Sequence, residues 1–275
     1  MNLIRVALST RWLVGLVLTI VFALITTMFG LWQWDRRGQA VAEIERVENN
    51  WDRDPVPVAQ LASGLNRFDD DLKWRPVTLE GSYREDQQLL VRTRPRGGQV
   101  GFDVVLPFVT EDNQAYLVSR GWVPTGENQD GPDAVASPPG GTVALVGRLL
   151  PGEVTIDGRG APEGQLATVN LEQAATATGI ELYPHAYIAM ESETPAVSPT
   201  PLLQDKPQLD EGPHLSYTFQ WYLFGILGFI AWGYLLREEL RRRQGLERPK
   251  DVSKARADQD FEDAVVDSAQ AMERR

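Results

Sequence analysis

Two uninterrupted apolar runs divide the chain. The first, Trp12 to Trp34, is 23 residues without a charge, enough to cross about 30 Å of hydrocarbon at about 1.5 Å per residue of helix. The second follows Gly212-Pro213-His214-Leu215-Ser216-Tyr217-Thr218-Phe219-Gln220-Trp221 and stays uncharged to Leu236. The pattern predicts transmembrane helices over 12–34 and 214–236, an N-terminal segment 1–11, a domain over 35–213 and a charged tail over 237–275. The first run is longer than the 7–15 residues of a signal-peptide core, and Thr26–Trp32 offers no small-x-small cleavage site, so it reads as a retained anchor.

Between the spans the periodicity changes twice. Ala40, Ile44 and Val47 with Glu43, Glu45 and Glu48 between them continue the first helix for a few turns, to Asn49 and Asn50. Val58, Leu61, Leu65 and Phe68 space as one face of a short helix. From Pro76 onward the signal is strands: Pro76–Tyr83, Leu89–Thr93, Phe102–Val109, Tyr116–Val123, Thr142–Leu150 and Tyr187–Met190, rich in Val, Leu and aromatics and separated by turn residues. Thr110–Gln114 reads as a hairpin turn, and Asn170 with Gln173 as the cap of a helix over Leu171–Thr178 that stops at Gly179. The expected fold is two transmembrane helices flanking an α+β, mainly antiparallel-β domain, barrel- or sandwich-like.

Charge sets the orientation. Arg5 and Arg11 precede the first span, and Arg237, Arg241, Arg242 and Arg243 follow the second, which places both termini in the cytoplasm and the domain outside it, although Arg36 and Arg37 weigh the other way. The domain carries 28 Asp and Glu against 15 Lys and Arg, a balance that argues against nucleic acid as a partner. There is no cysteine, which removes disulfides, thiolate metal sites and cysteine nucleophiles. No phosphate-binding glycine loop, zinc-ligand spacing or nucleophile elbow is present, so the chain does not read as an enzyme.

His214 is the most pointed candidate for chemistry. Pro213 suits the first position of a helix, which puts His214 in the first turn, where the helix dipole opposes protonation. A neutral imidazole is the form that binds a metal or a haem iron. Tyr217 and Trp221 share its helix face, a stripe that would flank a flat macrocycle. The same residues also read as an interfacial aromatic belt with His214 at the headgroups, and the residues alone leave both readings open. His185 reads as a loop or core residue. Arg36, one turn after Trp32, reaches either a carboxylate such as a haem propionate or a lipid phosphate. Trp32, Gln33, Arg120 and Trp122 are candidates for partner contact, with Arg120 structural if it is buried against a carboxylate.

Four marks in this order resemble the surfeit locus protein 1 family, the assembly factors of cytochrome c oxidase. They are Leu31-Trp32-Gln33-x-x-Arg36, Arg75-Pro76-Val77-x-Leu79-x-Gly81-x-Tyr83, Arg120-Gly121-Trp122-Val123-Pro124 and His214-Leu215-x-Tyr217-x-x-x-Trp221. The resemblance implies a cell-membrane assembly factor, not an enzyme, that supplies haem a to the oxidase's catalytic subunit or stabilises it there. It makes His214 the axial ligand of a transiently held haem a, flanked by Tyr217 and Trp221, with Arg36 on a propionate. The implied partners are the oxidase core subunits, the haem a synthase, a bc-type complex and the bilayer. The alternative is a stable accessory subunit of an oxidase or bc-oxidase supercomplex that binds no haem.

Overall fold

Where the sequence turns from apolar to amphipathic after Trp34, the helix does not stop. In the computed structural model, which describes residues 6–62, 67–127 and 130–246, helix α1 runs unbroken over Thr10–Asn50. The chain divides into two compact units, residues 1–37 with 212–275, and residues 38–211. The tail beyond Leu246, and Leu65 of the expected short helix, lie outside the described residues.

The first unit is a helix pair. The helix that opens at His214 and ends at Arg243 (α4) runs antiparallel to α1, and both are long and apolar enough to cross a membrane. Apolar side chains cannot drive helices together in hydrocarbon, so contact depends on small residues and ring stacking. A Cβ on Gly225 would sit 2.9 Å from Thr26 Oγ1 and one on Gly30 would sit 2.7 Å from Tyr222 Cε1, so both glycines mark close approaches. Thr26 and Thr218 are buried there, their hydroxyls returned to Ala23 O (3.0 Å) and His214 O (2.9 Å). Phe29 stacks on Trp221 at 4.8 Å, and Trp12 meets Trp232 edge-on at 6.4 Å.

The second unit is an α+β domain. Its strands are β1 (Val56–Pro57), β2 (Pro76–Tyr83), β3 (Leu89–Arg96), β4 (Gln99–Thr110), β5 (Ala115–Pro124), β6 (Val143–Pro151), β7 (Gln165–Leu166) and β8 (Ala186–Thr194). Helix α2 covers Val58–Ala62 and α3 covers Leu171–Thr178. The α3 ends are as expected: Asn170 accepts from Gln173 N at 2.9 Å, and Gly179 closes the helix in the left-handed region. The Gln173 side chain reaches Thr155 rather than returning to Asn170, so only half of a capping box forms.

The sheet is mixed rather than antiparallel throughout. Its order is β1-β2-β6-β8-β5-β4-β3-β7, with β1–β2, β3–β7 and β5–β8 parallel. Strand β8, last in sequence, inserts between β6 and β5, an arrangement that local hydrophobic pattern cannot announce. Strand β2 pairs with β6 over Pro76–Gly81 and with β4 over Gly81–Tyr83, so the pairing of β2, β6, β8, β5 and β4 returns on itself. Gly81 is the corner, where a Cβ would collide with the Val109 carbonyl.

Alternation along β5 feeds two cores on opposite faces. Ala115 and Leu117 join one around Val91, Val105, Leu171 and Tyr187, while Tyr116 and Val118 join the other around Val77, Phe108, Leu145 and Ile188. The end of α1 docks on the first. Val47 is fully buried, Asn50 donates to Asp71 O (2.7 Å) and Lys73 O (2.9 Å), and Trp74 Nε1 donates to Glu43 (2.8 Å). Burial works against the Glu43 charge, but hydrogen bonds from Lys73 and Trp74 outweigh it and hold the carboxyl below its ordinary range. Arg148 stacks on Trp51 at 3.6 Å and donates to its carbonyl at 2.7 Å.

A bulge breaks the β4–β5 register between Val104 and Val105, and Arg120 is the extra residue. It turns inward, has no solvent exposure, and pairs with Glu193 at 2.7 Å while donating to Ala136 O at 2.7 Å. Tyr83 donates to the other Glu193 oxygen at 2.9 Å and lies under the guanidinium. Removing one partner leaves an uncompensated buried charge. Arg120→Ala or Glu193→Ala should therefore each cost about 3–5 kcal/mol of domain stability, and Tyr83→Phe about 1 kcal/mol. Urea unfolding of the full chain in mild detergent, followed by tryptophan fluorescence, checks both.

Candidate functional site

Helix α4 opens with Pro213 as its N-cap and His214 as its first residue, one position later than the sequence spacing suggests. At this end of the helix pair Gln33 of α1 faces His214, with Gln33 Oε1 2.8 Å from Nδ1. An amide oxygen accepts, so in the neutral ring Nδ1 carries the proton and Nε2 keeps the lone pair. This is the arrangement in which a second residue fixes the tautomer and aim of a ligating histidine. Gly212 adjoins the imidazole with φ +69°, and a Cβ there would lie 3.4 Å from both Cδ2 and Nε2. A side chain at this position would lie in van der Waals contact with the ring.

The remaining predicted residues are placed unequally. Tyr217, one turn below His214, is 46 % exposed and its ring is offered outward. Trp221 has one face stacked on Phe29 and its edge against Phe224, so it braces the helix pair. Arg36 lies over Trp32, 5.8 Å from the ring centroid, on an exposed stretch of α1. Gln33, expected as a partner contact, also bonds the His214 imidazole, a role its sequence position does not announce. Helix register alone cannot pair residues 181 positions apart.

Two expected contact residues are interior. Arg120 is buried against Glu193, the structural alternative. Trp122 is 7 % exposed and donates Nε1 to Arg94 O at 2.7 Å. Gly121 has φ +132°, a Cβ there would meet Leu202 O at 2.6 Å, and Trp122 and Leu202 exchange two backbone hydrogen bonds of 2.8 Å beside it. His185 packs edge-on against Tyr183 at 5.5 Å.

The alternating arginines of β3 were not singled out, although their spacing is visible. Arg92 binds Asp130, Arg94 binds Glu153 at 2.6 Å with Asp103 at 3.1 Å, and Arg96 binds Asp205 at 2.6 Å. Arg94, Asp103, Glu153 and Tyr187 line a cleft of about 340 Å³ beside Trp122 and Leu202. Burial raises the Asp103 carboxyl to about 6, with the Glu153 charge adding to it and Arg94 opposing. Burial, with Glu153 nearby, also raises the Tyr187 phenol.

The model of the SURF1 family matches residues 20–226. An uncharacterised SURF1-like protein of Mycobacterium tuberculosis is 31 % identical over 242 residues, 86 % of this chain and 88 % of its own. A SURF1-like protein of Rickettsia bellii is 23 % identical over 82 % of this chain and 90 % of its own. The cytochrome oxidase assembly protein SHY1 of Saccharomyces cerevisiae is 27 % identical over 122 residues, 43 % of this chain and 30 % of its own.

Asp103 yields a pH signature. Between its ordinary 3.8 and about 6, the folded protein holds a proton that the unfolded chain has released. Domain stability should then fall as pH rises through that window, by about 3 kcal/mol in all, and be level in this group above it. Asp103→Asn should flatten that segment in melts taken from pH 4 to pH 7.

Proposed function

Because this chain belongs to the SURF1 family, we propose that it is an assembly factor for cytochrome c oxidase, acting from the cell membrane with both termini in the cytoplasm. The similarity to the yeast cytochrome oxidase assembly protein SHY1 supports the oxidase as the complex served. Arg11 before the first apolar run and Arg237, Arg241, Arg242 and Arg243 after the second support the orientation. The chain breaks and makes no bond in this role; it presents a ligand to the subunit under assembly.

The observation that carries the finer reading is the His214–Gln33 hydrogen bond. It leaves Nε2 of the neutral ring as the donor atom, and Gly212 sets no side chain against it. These residues fit haem a, which when bound would supply an iron centre for axial ligation. His214 would hold it through Nε2, Gln33 would keep the ring aimed and in the Nδ1–H tautomer, and Tyr217 would lie along the same face. Trp221 supports from behind, because Phe29 already covers one of its faces. Arg36, exposed at the outer end of α1, suits a propionate.

Purify the full chain in mild detergent from cells that make haem a, and read the pyridine haemochrome for native protein, His214→Ala and Gln33→Leu. The expected result is a haem a band in the native protein, lost in His214→Ala and reduced about tenfold in Gln33→Leu. An unchanged band in His214→Ala would overturn the ligand assignment. Protein without haem that stays in stoichiometric amount with mature oxidase would instead support the accessory-subunit alternative.

A further inference from the structure

The cleft beside β3 is not used by the assembly role or by His214. Its lining is rich in acceptors that the fold leaves without a hydrogen bond. Glu153 uses Oε2 for both Arg94 (2.6 Å) and Val169 N (2.9 Å), which leaves Oε1. Asp103 meets Arg94 Nε through Oδ2 at 3.1 Å, and that contact is ionic rather than a directed hydrogen bond, since Arg94 Nε is buried with no hydrogen-bond partner. Asp103 Oδ1 is left over. Tyr187 points to the same place: it is 9 % exposed, lines the cleft, senses the charges of Glu153, Arg94 and Asp103, and its hydroxyl makes no hydrogen bond among the described residues. A hydroxyl that opens into a cleft with no protein partner is free to bond an occupant.

Three carboxylates, of Asp103, Glu153 and Asp205, face two guanidiniums, of Arg94 and Arg96. An occupant should therefore be positive and rich in donors. Among the described residues no three carboxylate or histidine side chains converge tightly enough for a metal ion. The acceptors are spread over Asp103, Glu153 and Tyr187, which suits a planar group with five N–H donors better than a point charge. Trp122 supplies an aromatic wall.

We propose that this cleft of the domain is a socket for one arginine side chain of a protein partner, held by Asp103, Glu153 Oε1 and the Tyr187 hydroxyl. The surrounding acidic surface would draw a basic segment to it, since the region 35–213 carries 28 acidic against 15 basic residues. The socket goes beyond the assembly reading and stands apart from it, because neither His214 nor haem enters.

The full chain, labelled with 5-fluorotryptophan and held in detergent micelles, is titrated with acetyl-arginine amide, acetyl-citrulline amide and free L-arginine. Trp122→Phe identifies the Trp122 fluorine signal. The expected result is a saturable Trp122 shift with acetyl-arginine amide, with Kd of about 1–10 mM, and binding about tenfold weaker for the uncharged citrulline analogue. Asp103→Asn should weaken binding about tenfold and Tyr187→Phe about threefold, each with an unchanged fold by circular dichroism. Equal shifts with citrulline, native affinity in both variants, or no saturable shift would overturn the socket. Binding of free arginine but not of the blocked form would overturn a protein partner as its source.

Discussion

A charge buried away from water must find its counter-charge inside the fold, and the bulge at Arg120 and the position of Glu193 answer that requirement together. Arg120 lies on β5 and Glu193 on β8, a strand that reaches β5 only by parallel pairing from the far end of the domain. Tyr83 adds β2, and the Ala136 carbonyl adds the long loop before β6. Apolar packing would tolerate several registers of these strands. The ion pair admits one, because a slip of one residue turns the side chain to the opposite face and strands the guanidinium.

The same logic organises the rim. Three arginines of β3 each hold a carboxylate from a different irregular segment: Asp130, Glu153 and Asp205. These bonds are partly exposed and individually modest. Their effect is to hold segments that contribute little to either core. The Leu202 region is drawn against Trp122 in this way, with Arg96 bonded to the Leu202 carbonyl. One wall of the cleft is built from these attachments.

Much of the fold was legible because local signals decide it. The β2 boundaries were read as they occur, and the ends of α3 follow from Asn170 and Gly179. Strand ends elsewhere moved by up to four residues where polar or turn-forming residues continued the pairing, as at Thr93–Arg96 of β3 and Met190–Thr194 of β8. The insertion of β8 between β6 and β5, and the parallel pairs, were not legible, because periodicity records which side of a strand is buried but not its neighbour. At the site, helix phase placed Tyr217 and Trp221 relative to His214, yet it was silent on Phe29 occupying Trp221 and on Gln33 meeting the imidazole.

The link between Gln33 and His214 joins points 181 residues apart. A nascent chain emerging from the ribosome has Gln33 in place early, while His214 arrives only after the whole intervening domain has been made. Until then the Gln33 amide has no imidazole to orient. Any ligand that depends on the Nδ1–H tautomer is thus received late, after synthesis has delivered both helices, and an incomplete or truncated product cannot capture it prematurely.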